Sequence, residues 1–130
     1  MRSKRRASGV NVMENKEIRN RLTAAFPRLF INHNFELIIE PKRNTYFSLD
    51  GVHTERELTA KILEWLSREA SKSVYPWSQK YHIDGINRFL GTSFTQQDMD
   101  EIYTYIGNAV NHEKTLRFVD SGYCMEALHG

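Results

Sequence analysis

Among the residues whose types could do chemistry, His33, His53, His82 and His112 come first, with Asp84, Asp98 and Glu101 as carboxylates close to one another or to a histidine. A zinc-type pair on a helix needs spacing of three or four, so that both ligands share a face. His82 and Asp84 are two apart and do not. Asp98 and Glu101 have the right spacing, but a helix cap and a solvated acid explain them without a metal. The string Asn32-His33-Asn34 has the residue types of a metal-nuclease site but not its context, and Asn and His are ordinary turn residues. The chain has no glycine-rich phosphate loop, no Gly-x-Ser-x-Gly elbow and no His-Glu-x-x-His. The expectation is a non-enzymatic protein with no catalytic residues, no metal and no cofactor, with a hydrolase or nuclease built from residues distant in sequence as the minor alternative.

The elements that would position any site are well signalled in the middle of the chain. Thr54 followed by Glu57 is a helix start, since the Thr hydroxyl accepts from a first-turn amide and the Glu can reach back to the cap. Leu58, Ile62, Trp65 and Leu66 then recur at helical spacing, widened by Leu63 and Ala70. Glu57 with Lys61, and Glu64 with Arg68, are expected on the opposite face as pairs contributing about 0.2 to 0.5 kcal/mol each. Just upstream, Phe35, Leu37 and Ile39 alternate with more polar neighbours. Pro41 to Asn44 make a turn cluster, and Phe47 and Leu49 resume in phase. This pattern predicts a hairpin with the apolar stripe of the helix packed across it.

Flanking this centre, Ile18, Leu22, Ala25 and Phe26 predict a first helix from Glu14 that Pro27 ends by biasing Phe26 away from helical geometry. Residues 28–34 read as a connection anchored by Leu29, Phe30 and Ile31. Pro76 suits the first turn of a helix through Leu90 with Trp77, Tyr81, Ile83, Ile86, Phe89 and Leu90 as its apolar set and Gly91 as its left-handed stop. Gly85 inside that helix costs about 1 kcal/mol relative to Ala, so it marks a break or a close approach. Thr95 with Asp98 starts another helix carrying Met99, Ile102, Tyr103, Ile106 and Val110. Residues 113–120 read as a short helix closed by Gly122, with a strand as the alternative. The fold class is α+β: a β-hairpin packed against a small bundle of four or five helices.

Composition sets the remaining bounds. The chain has 130 residues, 40% hydrophobic and 26% charged, which suits one globular domain. It divides into a basic flexible arm over 1–13, a body over 14–122 and a tail over 123–130. No apolar run is long enough for a membrane span, no signal peptide follows the basic start, and the single Cys124 excludes an internal disulfide; a cytoplasmic location is expected. Charge is uneven. Up to Ile31 there are eight bases against two acids, and beyond it ten bases against fourteen acids.

Two partner classes follow. The basic front, with Arg2, Lys4, Arg5 and Arg6 in the arm and Arg19 and Arg21 on the first helix, suits nucleic acid. Tyr75 and Trp77, beside Pro76 on a link between helices, and Tyr105 on the helix after Thr95, suit a protein interface, where Tyr and Trp are enriched. A helix-turn-helix around Gly91 with Gln96 and Gln97 reading bases is disfavoured, because Asp98, Asp100 and Glu101 would face phosphate. The protein interface is the leading expectation.

The stretches Tyr46 to Gly51, Leu63 to Lys72 and Asn87 to Asp100, the last with its Phe-Leu-Gly-Thr-Ser-Phe-Thr run, are similar in style to small accessory proteins of prophages and conjugative elements in Gram-positive bacteria. The resemblance carries no functional residue over. It implies a compact, non-enzymatic protein that binds a nucleic acid or a host protein, inhibitors of host defence nucleases included.

Overall fold

The helix that begins at Thr54 lies at the centre of the molecule. In the computed structural model, which describes residues 12–32, 34–39, 46–107 and 111–129, it is the second of five: α1 (Asn15–Ala25), α2 (Glu55–Lys72), α3 (Pro76–Leu90), α4 (Gln96–Ile106) and α5 (His112–Asp120). The protein is a mostly helical small domain. Thr54 Oγ1 accepts from the Glu57 amide at 3.1 Å, as its position implies. The α4 start is a complete capping box, with Thr95 Oγ1 accepting from the Asp98 amide and Asp98 accepting from the Thr95 amide. Residues 113–120 are helical, capped by the Asn111 side chain.

Among the described residues the strands are three short segments, β1 (Leu29–Ile31), β2 (Glu36–Ile39) and β3 (Tyr46–Ser48), paired antiparallel in that order with Leu29 opposite Ile39 and Leu37 opposite Phe47. Residues 29–31, expected as a plain connection, are therefore extended. Asn32 organises the turn that follows: its Oδ1 accepts from the Asn34 and Glu36 amides at 3.0 and 2.9 Å. Asn-x-Asn here does turn work. The turn cluster Pro41 to Asn44, His33, Val110, and the side chains of Leu37, Ile39 and Phe47 lie outside what is described.

The expected layering of α2 on a hairpin is corrected. Helix α2 packs on α3, α4 and α5, while β1 meets α1. Length explains the difference. An 18-residue helix is about 27 Å long, whereas a four-residue strand offers only about 13 Å, too short to cover it. Surrounded by helices, α2 buries Thr59, Ala60, Glu64 and Ser67 as well as Leu58, Ile62, Leu63, Leu66 and Ala70. Trp65, expected fully inside, is only partly buried at the edge of this core.

Helix α1 contributes Ile18, Leu22 and Ala25 to the core and stops at Phe26, whose φ of −121° and ψ of 96° are extended, as the following Pro27 requires. Phe26 then lies flat against α3 at Gly85. A Cβ there would fall 2.1 Å from Phe26 Cε1, so Gly85 is the close approach its place in a helix implies. Gly91, at φ 72°, ends α3 in the left-handed conformation. Beyond α5, a 3-10 turn at Met125–His129 meets α4 and α5, with Met125 and Leu128 packed against the core.

Candidate functional site

The α2–α3 joint leaves an apolar cluster outside. Ser73 caps α2 and is buried, its carbonyl accepting from Gln79 Nε2 at 2.8 Å, so the backbone is held from both sides. Tyr75 is the N-cap of α3, its carbonyl accepting from the Ser78 and Gln79 amides, and Pro76 occupies the first turn. With the backbone fixed in this way, Val74, Tyr75 and Trp77 project outward at 80%, 55% and 52% exposure. The Tyr75 and Trp77 rings stack, with centroids 6.1 Å apart and planes 22° apart. Trp77 is thus corrected from the apolar core set of α3. The inward face of that helix is Ser78, His82, Gly85, Ile86 and Phe89.

Tyr105 sits elsewhere. It is half-buried on α4 with Lys114 Nζ 5.2 Å from its ring centre, and it lines two shallow grooves, one with Thr104, Asn111 and His112, the other with Gln97, Asp100 and Leu128. Neither groove includes Tyr75 or Trp77, so the three aromatics singled out from sequence form two places rather than one.

His82, Asp84, Asp98 and His112 each hold a contact within the fold. His82 is buried with Nδ1 2.7 Å from the Ser78 carbonyl, and Asp84 instead accepts from Lys80 at 2.8 Å. Asp98 is occupied as a cap. His112 makes the arrangement that sequence reasoning missed. Its Nδ1 is 2.6 Å from Oε2 of Glu64, a carboxylate buried in α2, and its Nε2 is 3.5 Å from Glu57 Oε1. Glu64 is therefore not on the solvent face with Arg68. The hydrogen bond to Glu64 raises the His112 pKa above its ordinary value, outweighing the opposing effect of burial, and the charges of Glu64 and Glu57 add to it. Both ring nitrogens face carboxylates, an arrangement that favours the protonated imidazole and ties α5 to α2. The one sequence signal was a Glu flanked by Leu63 and Trp65 on a broad apolar helix. A second tie between the same helices is the exposed pair Arg56–Asp120, two parallel bonds of 2.8 Å, which holds the Asp120 carboxyl below its ordinary pKa. Among the described residues, no group of three His, Cys, Asp or Glu is placed to hold a metal ion, and no helix is long and apolar enough to cross a membrane.

No family model, curated protein or solved structure matches this chain. The surface is thus the guide to function.

The basic residues are less available than their charge implies. Arg19 lies over the Phe35 ring at 5.1 Å and donates to the Ile31 and Asn32 carbonyls, and Arg21 pairs with Glu55 while stacking on Phe89 at 4.5 Å. Both help to build the fold. Arg2, Lys4, Arg5 and Arg6 lie outside the described residues.

Proposed function

We propose that this chain is a non-enzymatic binding protein, a regulator or inhibitor that acts in the cytoplasm by protein–protein contact in a mobile-element setting, for example on a host defence nuclease. In this reading the helical bundle is the body, β2 and β3 form a hairpin at its side, and the partner docks on the α2–α3 joint. The observation that carries it is the stacked, half-exposed pair Tyr75 and Trp77 beside Val74. A rigid pair of aromatics on a fixed backbone loses little entropy on binding, and such anchors each supply about 2 kcal/mol or more once desolvated. Tyr105, a candidate by type, is a separate and weaker contact, since half of it already packs in the core.

The test compares capture of partners from host lysate, treated with nuclease or untreated, by the native chain, by a Tyr75→Ala, Trp77→Ala variant and by a chain lacking residues 1–12. Each variant is first shown by its melt to be folded. Capture lost in the aromatic variant, and unchanged by nuclease or by the arm deletion, is the expected result. Capture that follows the arm and is abolished by nuclease refutes the protein-contact reading.

A further inference from the structure

A second feature of the surface lies where α1 and α3 end side by side. The Arg88 guanidinium is fixed by its Nε, which donates to the Ala25 carbonyl at 2.8 Å. That bond uses Nε and leaves the two terminal nitrogens of the guanidinium out of it. Next to it runs an open groove lined by Arg21, Ala24, Ala25, Arg88 and Phe89. Its floor is the small side chain of Ala24 and Ala25, and one wall is Arg21 held flat on Phe89.

Arg28 is three residues on from Ala25, outside the lining of the groove itself. It follows Pro27 directly and has φ of 72°, a left-handed conformation that disfavours any side chain with a Cβ. Arg28 and Arg88 both lie close enough to the Tyr81 hydroxyl to act on it electrostatically, and burial still pushes that phenol up to about 12. Tyr81 therefore stays neutral and donates to the Pro27 carbonyl, so it cancels neither positive charge. Among the described residues, acids accompany Arg21 (Glu55) and Lys80 (Asp84), and none pairs with Arg28 or Arg88.

We propose that Arg28 and Arg88, with the groove beside them, bind the phosphodiester backbone of a nucleic acid. Two guanidinium forks with nitrogens to spare match phosphate oxygens. The groove is open along its length and has a small-residue floor, which suits a chain passing over it better than an enclosed small molecule. The contact is to backbone, so it is indifferent to sequence.

The experiment measures anisotropy of labelled single-stranded and duplex oligonucleotides across a salt series with the full chain. Arg28→Gly removes one guanidinium at a position whose φ glycine prefers, so that variant keeps the fold. Arg88→Gln removes the other, and Arg117→Gln, on the exposed side of α5, controls for net charge. Arg28→Gly and Arg88→Gln are each expected to weaken binding to every sequence by about three- to tenfold and to lower the salt slope by about one, with Arg117→Gln close to native. Tyr75→Ala, Trp77→Ala leaves this binding intact, which separates it from the protein-contact reading. Equal binding by all variants, an equal loss in Arg117→Gln, loss only on deletion of residues 1–12, or amide shifts at Arg28 and Arg88 with inorganic phosphate but no oligonucleotide binding would each overturn the proposal.

Discussion

The two ends of α3 treat aromatic residues in opposite ways. At its C-terminal half Phe26 is fully buried against Gly85, in a contact so close that a Cβ at position 85 would meet the ring. At its N-terminal end Trp77, a larger ring with more to gain from burial, is left half-exposed on Tyr75. The cause is the joint. Ser73 and Gln79 fix the backbone so that position 77 faces away from α2, while positions 78, 82, 85, 86 and 89 face it and α1. One end of the helix is committed to the fold and the other leaves its aromatic rings at the surface.

The sharpest way to break this contrast is to empty the buried end. Phe26→Ala is expected to cost about 3 to 5 kcal/mol, a large share of the stability of a domain this size, read as a fall in melting temperature. A small change there would mean the α1–α3 contact is loose.

Gly85→Ala should come next. Helix propensity alone predicts a gain of about 1 kcal/mol, but the added Cβ meets the Phe26 ring, and overpacking of this kind costs about 1 to 3 kcal/mol. The expected sign is destabilising, and Phe26→Leu in the same chain should return part of the loss. A stabilised Gly85→Ala protein would show that the ring moves aside freely.

The His112 tie gives a smaller, pH-dependent effect. Because its pKa is higher in the folded chain than in the unfolded one, its contribution is complete below the ordinary histidine value of about 6.5 and is lost as pH rises through the raised folded value. The difference in melting temperature between the native chain and His112→Gln should thus shrink from mildly acidic to alkaline pH. A difference that grows with pH would put the wrong charge state on the clamp. His112 also occupies the first turn of α5, where the helix dipole opposes a cation, so the effect depends on Glu64 and Glu57 together.

Least of all should stability respond to the exposed end of α3: Tyr75→Ala and Trp77→Ala are expected to shift it by no more than about 0.5 kcal/mol each. Differential scanning of the two single variants checks this. A loss near that of Phe26→Ala would make the pair part of the core and remove the ground for the docking surface.

What the sequence by itself determined are features decided within one helical turn. Thr54 and the Thr95–Asp98 pair start helices, Pro27 ends one, Gly91 closes another and Asn32 folds its own turn, because cap, ring and amide geometry act over two to four residues. Gly85 could be read as a close approach, though not what approaches. Tertiary structure alone decided that α2 is enclosed by helices instead of lying on strands, that Glu64 turns inward to meet His112 forty-eight positions away, and that Trp77 lies outside while Phe26 lies inside. Apolar periodicity marks which face of a helix is buried but not against what. A charge, or a large ring near the edge of that face, goes to whichever side offers a partner, and the partner comes from a distant part of the chain.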